Sequence, residues 1–136
     1  MKKVLVNNEK APNLNAVFNW GLKISDFSEI FLVSGHGAML PDFEVVHPGD
    51  PAGQARFIFS QVIAYLKDND YSLDDVIQIK QTITKDVTDD QFHEIVEVYE
   101  EFMSDVAIKP TGGTMRVVDR LVVPGMMVEF EFMAAK

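Results

Sequence analysis

Cysteine is absent from this 136-residue chain, and so is any long apolar run. Without cysteine the chain has no disulfide, no thiolate nucleophile and no cysteine-based metal site. No apolar run approaches the roughly 18 residues of a membrane-spanning helix, and the apolar stretch near the start is too short for a signal-peptide core. We therefore expect a cytoplasmic protein that has no membrane partner.

Basic residues are also scarce, with 12 Lys and Arg against 21 Asp and Glu, and the formal net charge is -9. Such a field repels phosphate backbones, so nucleic acid is not an expected partner. The three histidines, His36, His47 and His93, lack the spacing of zinc ligands. Walker and dinucleotide glycine motifs are missing as well. We expect neither a metal nor a cofactor.

The chain does contain 47% hydrophobic residues in periodic patterns, which suits a single domain over residues 1–136. Runs of branched and aromatic residues predict strands at 2–6, 16–24, 29–34, 75–85, 114–121 and 126–133. Within the run 75–85, Gln81 interrupts the apolar face. A turn at Pro124-Gly125 is expected to join the last two strands.

Two helices are predicted by their caps. Asp50 followed by Pro51 is typical of a helix start, and the apolar spacing continues to about Asp68. Thr88 and Gln91 form a capping box for the second helix, because each side chain can satisfy a free backbone N–H near the other. This second helix carries an apolar stripe that includes Val96 and Tyr99.

The order strand–strand–helix–strand–helix–strand–strand indicates the α+β class, with each helix linking two strands. Right-handed crossovers place both helices on the same face of the sheet. The last strand is nevertheless apolar on both sides, with Phe130 and Phe132 on one face and Met127 and Met133 on the other. The face that the helices leave bare needs a cover, and self-association supplies one.

Six stretches occur in the order, and with nearly the gaps, of one known family. They are Ala11-Pro12, FLVSGH at 31–36, Gln54 with Gln61, the stretch 66–86, the stretch 92–102, and VEFE at 128–131. Over about residues 11–135 the chain thereby resembles the Rid family, the YjgF-like reactive intermediate deaminases. The segment 92–102 is similar to its "F-x-x-V-N-x-x-Y-x-x-F" helix.

The resemblance implies a chorismate-mutase-like fold of the bacillus type, a mixed six-stranded sheet with two helices on one face. It also implies a homotrimer with a central barrel, in which clefts between subunits bind small carboxylates. Family members of this kind hydrolyse enamines and imines to carbonyl compounds and ammonia, without a cofactor. The partners implied are a second and third copy of the chain and a small-molecule ligand.

Imine hydrolysis needs a group that holds the substrate and a group that positions water. By resemblance, Glu129 positions the water; the alternative is a solvent-facing or cross-strand-paired glutamate. The family's arginine is missing, since its position falls near Gly113 or Thr114. Arg116 would substitute for it if the last two strands pair around Val123 and bring Arg116 across from Glu129. The alternative is a structural ion pair.

Further residues are expected to bind the ligand. Phe18 and Val96 occupy the positions of a family tyrosine and asparagine, which makes the site more apolar. His36 replaces a glutamine after Ser34-Gly35. Its imidazole could act as an acid or base near neutral pH, or simply form a local hydrogen bond.

The segment Gly112-Gly113-Thr114 could bind a carboxylate through backbone N–H groups, or form a plain turn. Two main functions therefore remain open from the sequence, beside a third, a hydrolase of an aromatic or amino-acid breakdown route whose apolar pocket of Phe18 and Val96 would suit a larger ligand. The first is a trimeric enamine or imine deaminase with Glu129 and Arg116 as catalytic residues. The second is a non-catalytic trimer of the same fold that binds a small ligand or a protein.

Overall fold

A computed structural model describes all residues, 1–136. It contains six strands and two long helices, in the order β1 (Lys2–Val6), β2 (Gly21–Ser25), β3 (Ile30–Gly37), α1 (Pro51–Asp68), β4 (Val76–Thr84), α2 (Asp89–Met103), β5 (Arg116–Val118) and β6 (Val128–Ala135). One turn of 3-10 helix, Leu73–Asp75, precedes β4. The α+β class is confirmed. Neither helix is long and apolar enough to cross a membrane.

The six strands form two sheets, not the single six-stranded sheet expected. β1 and β2 make an antiparallel pair, and the other sheet has the order β3-β6-β4-β5, in which only β4 and β5 are parallel. The chain leaves β2 through Asp26, which has a φ of 56°. The N–H groups of Ser28 and Glu29 then donate to the carbonyl oxygen of Lys136, at the end of β6. These bonds direct β3 to β6 and away from β2.

Both helices begin where their caps predict. The Asp50 side chain accepts a hydrogen bond from the Gly53 N–H at 2.9 Å. At α2, the Thr88 Oγ1 accepts from the Gln91 N–H at 3.2 Å, and the Gln91 side chain accepts from the Thr88 N–H at 3.0 Å. Each bond satisfies a backbone donor that the first helical turn leaves free.

Both helices cover the same face of the four-stranded sheet, as predicted. β6 directs alternate residues into this face, and Phe130 and Phe132 are almost fully buried there. Phe59 of α1 lies at the centre of the layer, with ring centroids 5.0 to 5.6 Å from four aromatic neighbours, which are Tyr99, Phe102, Phe130 and Phe132. The core therefore lies between the helices and this face, which we call the helix face.

The other face of the same sheet, here called the open face, has no covering element. It carries the residues that alternate with the buried ones, which are Gln78, Lys80 and Thr82 of β4 and Glu129, Glu131 and Met133 of β6. On β3, Leu32 lies opposite Met133 and is 68% exposed. The prediction of a bare sheet face is confirmed.

Two strand predictions were wrong. Residues 16–20 form no strand, because the N–H groups of Val17 and Phe18 both donate to the Leu14 carbonyl oxygen and close a turn. The last two strands are shorter or shifted relative to 114–121 and 126–133, and they do not form a hairpin pair. β4 lies between them, because α2 returns the chain to the far side of β4.

Candidate functional site

A cavity of about 410 Å³ lies between the loop at 14–20, β4, α2 and the segment 112–115. This volume falls within the range of small-molecule pockets, roughly 300 to 1,000 Å³. The wall is mostly apolar and consists of Leu14, Val17, Phe18, Trp20, Ile79, Gln81, Phe92, Val96, Tyr99, Gly112, Gly113 and Met115. None of these side chains is charged at neutral pH. The cavity suits an apolar group of a small molecule.

Four of the predicted ligand-binding residues meet in this cavity: Phe18, Val96, Gly112 and Gly113. The turn at Leu14 carries Phe18 to the cavity wall, where its ring packs edge-on against Trp20 with centroids 5.3 Å apart. The Trp20 indole N–H donates to the Pro12 carbonyl oxygen at 2.8 Å. The aromatic side of the cavity is therefore built by the segment that was wrongly predicted as a strand.

The two glycines bring the backbone close to this wall. Thr111 is bonded to β4 on both sides, since its N–H donates to the Ile77 carbonyl and its carbonyl accepts from the Ile79 N–H. A β-carbon on Gly112 would lie 3.2 Å from the Phe18 ring, and one on Gly113 would lie 3.0 Å from Lys80 Cγ. Gly113 also has a φ of +57°, which favours glycine. A side chain at 113 would need a different backbone.

Two residues of the cavity wall carry a buried polar atom that has no hydrogen-bond partner in the chain, Gln81 Nε2 and Tyr99 Oη. Burial raises the pKa of the Tyr99 hydroxyl well above its ordinary value, so this group stays neutral. Neither residue was predicted as a site residue. The signal for Gln81 was its interruption of an apolar strand face. Tyr99 had no such signal, because it falls in the apolar stripe of α2.

Glu129 lies on the open face, on the opposite side of the sheet from the cavity. Its Cα partner on β4 is Thr82, whereas Ile79 and Gln81 of the cavity wall point to the helix face. Its half-buried carboxylate rests against Gly35, where a β-carbon would collide with it. The four ion pairs of the chain do not include Glu129.

Arg116 does not pair directly with Glu129, so the expected antiparallel pairing is wrong. Thr82 is the Cα partner of both residues, and β4 therefore separates them. Two strand spacings put their backbones about 10 Å apart. Residues directly opposed on neighbouring strands point to the same face, so Arg116 and Glu129 both belong to the open face, where Arg116 is exposed.

Three other predicted residues lie outside the cavity. The His36 Nδ1–H donates to the carbonyl oxygen of Ser34 at 2.7 Å, across a register irregularity in β3. The His36 ring faces Tyr65 of α1, with centroids 6.2 Å apart. Thr114 is exposed and does not contribute to the wall. Their roles in ligand binding stay predictions.

The charges of the open face are partly paired. Lys80 Nζ and Glu131 Oε1 form an ion pair at 3.0 Å. Glu129 and Arg116 have no such partner. His, Asp and Glu side chains do not gather anywhere in groups of three suited to a metal ion.

A family model described as Endoribonuclease L-PSP matches residues 9–136. The chain belongs to this family, the Rid or YjgF-like proteins. Solved structures share its fold: YyfB of the Rid protein family from Yersinia pestis superposes with a TM-score of 0.85 at 17% identity, and each chain is covered in full. Yeast Mmf1 matches with a TM-score of 0.65 at 22% identity over 99% of each chain. E. coli TdcF with bound serine matches with 0.66 at 24% identity over 98% of each. The comparison with curated proteins found no significant match.

This Rid protein thus divides its candidate residues between two sides of one sheet. The cavity on the helix side holds Phe18, Val96 and the two glycines. The open face holds Glu129, Arg116 and, beneath the glutamate, Gly35. Within a single chain the sheet separates Glu129 from the cavity, and the two sides approach each other at Gly113, which lines the cavity and packs against Lys80.

Proposed function

We propose that this Rid protein hydrolyses an enamine or imine of a small metabolite to a carbonyl compound and ammonia. The observation that carries this proposal is Glu129, a half-buried carboxylate that rests against Gly35 and has no ion-pair partner. A carboxylate that is tied to a cation is a poor proton acceptor. One that is free and partly shielded can accept a proton from a bound water.

The chemistry needs only water and this carboxylate. Glu129 accepts a hydrogen bond from a water molecule and takes its proton as the water oxygen attacks the imine carbon. Glu129 passes this proton to the nitrogen, which gives the carbinolamine. The carbinolamine then releases ammonia as its hydroxyl proton moves to the departing nitrogen, and a carbonyl compound remains. An enamine first accepts a proton on carbon and loses one from nitrogen, which gives the imine. No redox step or cofactor is involved.

Two parts of the chain could hold the substrate. Arg116 shares the open face with Glu129, about 10 Å away across Thr82. Its side chain is long enough to bring a guanidinium toward a substrate carboxylate beside the glutamate. The backbone N–H groups of 112–114 are the other candidate, next to the cavity.

A homotrimer of the chorismate-mutase-like kind would unite the two sets of residues. Within one chain Glu129 lies on the opposite side of the sheet from the cavity, so a second subunit would complete a site that uses both. The open face also exposes apolar side chains that a subunit contact would bury, with Ile30 50% and Leu32 68% exposed. The clefts of such a trimer would be lined by the cavity of one copy and the open face of the next.

Cleavage of RNA is not part of this proposal, although the family model is described as an endoribonuclease. The net charge of -9 repels a phosphate backbone. The cavity wall contains no lysine or arginine that could offset that repulsion.

The test measures ammonia release from two freshly generated substrates, the enamine 2-aminoacrylate (with its imine tautomer) and the N–H imine of acetophenone, with and without the protein. We expect acceleration of at least one, and Glu129→Gln should lower it on the order of 100-fold, as is typical when a positioned general base is removed. Glu131→Gln is the matched control, because Glu131 lies two residues along the same face and is paired with Lys80.

If Glu129→Gln releases ammonia at the wild-type rate, Glu129 is not the group that accepts the water proton. If neither substrate is hydrolysed faster with protein, the hydrolase proposal fails and a non-catalytic binding trimer remains. The trimer is tested separately by light scattering at micromolar protein. A particle of three times the 15.3 kDa chain mass is expected, and a 15.3 kDa monomer would contradict it.

A further inference from the structure

We infer that the cavity binds an uncharged, ring-sized carbonyl compound, or the corresponding imine, and that Gln81 is its hydrogen-bonding anchor. This inference rests on the proposed function, because it names the class of compound that the same cleft would process. It departs from the small carboxylates that the resemblance implied.

The first argument is the absence of a cation from the cavity wall. Lys80 packs its alkyl chain against Gly113 of the wall, and its ammonium group is paired with Glu131 on the open face. Arg116 also belongs to the open face. A carboxylate placed in the cavity would lose its hydration without gaining an ion-pair partner from the same chain, which disfavours it. An uncharged group does not meet this penalty.

The second argument is Gln81. Its side chain lies in an otherwise apolar part of the wall, and its Nε2 is buried without a hydrogen-bond partner. An unsatisfied buried donor is costly, so a ligand that supplies an acceptor gains affinity by relieving it. Rotation about the terminal torsion of glutamine is soft, so the amide can turn one N–H toward a ligand oxygen or nitrogen.

The third argument is the shape and chemistry of the remaining wall. Four aromatic residues line it, Phe18, Trp20, Phe92 and Tyr99, and the first two already meet edge to face. Aromatic walls favour flat ring ligands through offset and edge-on contacts. The cavity of about 410 Å³ is large for a three-carbon amino-acid derivative and suited to a substituted ring. Tyr99 adds a second polar group without a partner, a hydroxyl that stays neutral.

The test compares three probes of nearly the same shape. Acetophenone carries a ring and a neutral acceptor, ethylbenzene lacks the acceptor, and benzoate carries the charge. Trp20 is the only tryptophan and lies in the wall. The NMR signal of its indole N–H proton therefore responds to a ligand that contacts this part of the wall. At pH 7 we expect acetophenone to bind at least tenfold more tightly than benzoate. Tighter binding of benzoate, or binding of no probe, would overturn the inference.

The anchor is tested by Gln81→Leu, with Gln61→Leu as the matched control because Gln61 is exposed on α1. Loss of one hydrogen bond should weaken acetophenone about fivefold to tenfold and leave ethylbenzene as tight or tighter. Gln81→Glu is the second variant, in case the leucine disturbs the strand, and it should weaken acetophenone as well. Equal loss for acetophenone and ethylbenzene in the Gln81 variants would show that Gln81 only shapes the wall.

These binding results separate the inference from the proposed function. If the protein binds acetophenone preferentially but hydrolyses neither substrate, the inference about the ligand is supported and the hydrolase proposal is contradicted. If the protein hydrolyses 2-aminoacrylate and binds benzoate more tightly than acetophenone, the hydrolase proposal is supported and the inference of an uncharged ligand is contradicted.

Discussion

The two faces of the four-stranded sheet consist of alternate residues of the same strands, yet only one of them is covered by other parts of the chain. On β6, Phe130 and Phe132 are covered by the helices of their own chain. Glu129 and Glu131, between and beside them, lie on the open face. The helix face is complete within one chain and encloses an apolar cavity. The open face keeps unpaired charges and exposed apolar side chains, and it is complete only if another molecule covers it.

Among variants that test this difference between the two faces, we expect Phe59→Ala to lower the free energy of unfolding most. Phe59 is fully buried among four aromatic rings of the helix face. Removal of a core phenyl ring lowers the free energy of unfolding by about 3 to 5 kcal/mol. Urea denaturation at several protein concentrations measures it, and we expect the loss at each of them.

Leu32→Ala is the comparison on the open face, since Leu32 is 68% exposed within the chain. If the chain forms the proposed trimer, Leu32→Ala should mainly weaken the association of subunits, which is measured by sedimentation at falling protein concentration.

For Phe59→Ala, a decrease in the free energy of unfolding below 1 kcal/mol would contradict the helix face as the core.

We expect a smaller decrease in the free energy of unfolding from Gly113→Ala, since Gly113 lies at the edge between the cavity and the open face. Its φ of +57° disfavours any side chain, and the new β-carbon would press on Lys80 Cγ at 3.0 Å. The backbone term alone costs roughly 1 to 2 kcal/mol. Gly49→Ala is the control, because Gly49 has a φ of +73° but open space around its β-position.

Urea denaturation of both glycine variants separates backbone strain from crowding. We expect both to be destabilised and Gly113→Ala to be destabilised more. If the two lose equal stability, Lys80 yields freely and crowding at the cavity edge is negligible.

The smallest expected effect is a change in how the free energy of unfolding depends on pH, and it involves Tyr71. Burial and then the hydrogen bond to Glu29, at 2.7 Å, raise the pKa of Tyr71 to about 12. The ordinary value is about 10. The neutral phenol is therefore favoured by folding, so its contribution is complete below about pH 10 and is lost as the pH rises toward 12. In Tyr71→Phe, stability measured by urea denaturation should fall less steeply over this range. An unchanged slope would mean that Tyr71 does not titrate differently in the folded chain.

Local sequence patterns predicted the elements where a single period or cap decides them. The cap at Asp50 and the capping box of Thr88 and Gln91 located both helix starts, since those bonds join residues three apart. Strand alternation assigned Phe130 and Met127 to opposite faces. The same reasoning failed at 16–20, where aromatic and branched residues form a turn and supply the cavity wall.

The candidate site was less predictable, because it depends on strand order. A hairpin of the last two strands was the simplest local pairing, and it would have joined Arg116 to Glu129. The insertion of β4 between β5 and β6 depends on contacts far apart in sequence, such as Thr82 with both residues. Gln81 was visible as an irregularity in the strand, but only the enclosure by α2 and the loop at 14–20 makes it part of a cavity.

The sequence by itself determined the α+β class, the helix starts, the family and the existence of a face that the chain does not cover. Periodicity and caps act over a few residues, so they can be recognised without knowing what lies opposite. Tertiary structure decided that Phe18, Val96 and Gln81 share one cavity while Glu129 lies behind the sheet from them. Which side chains meet depends on strand order and register, and these are set by the packing of the whole chain.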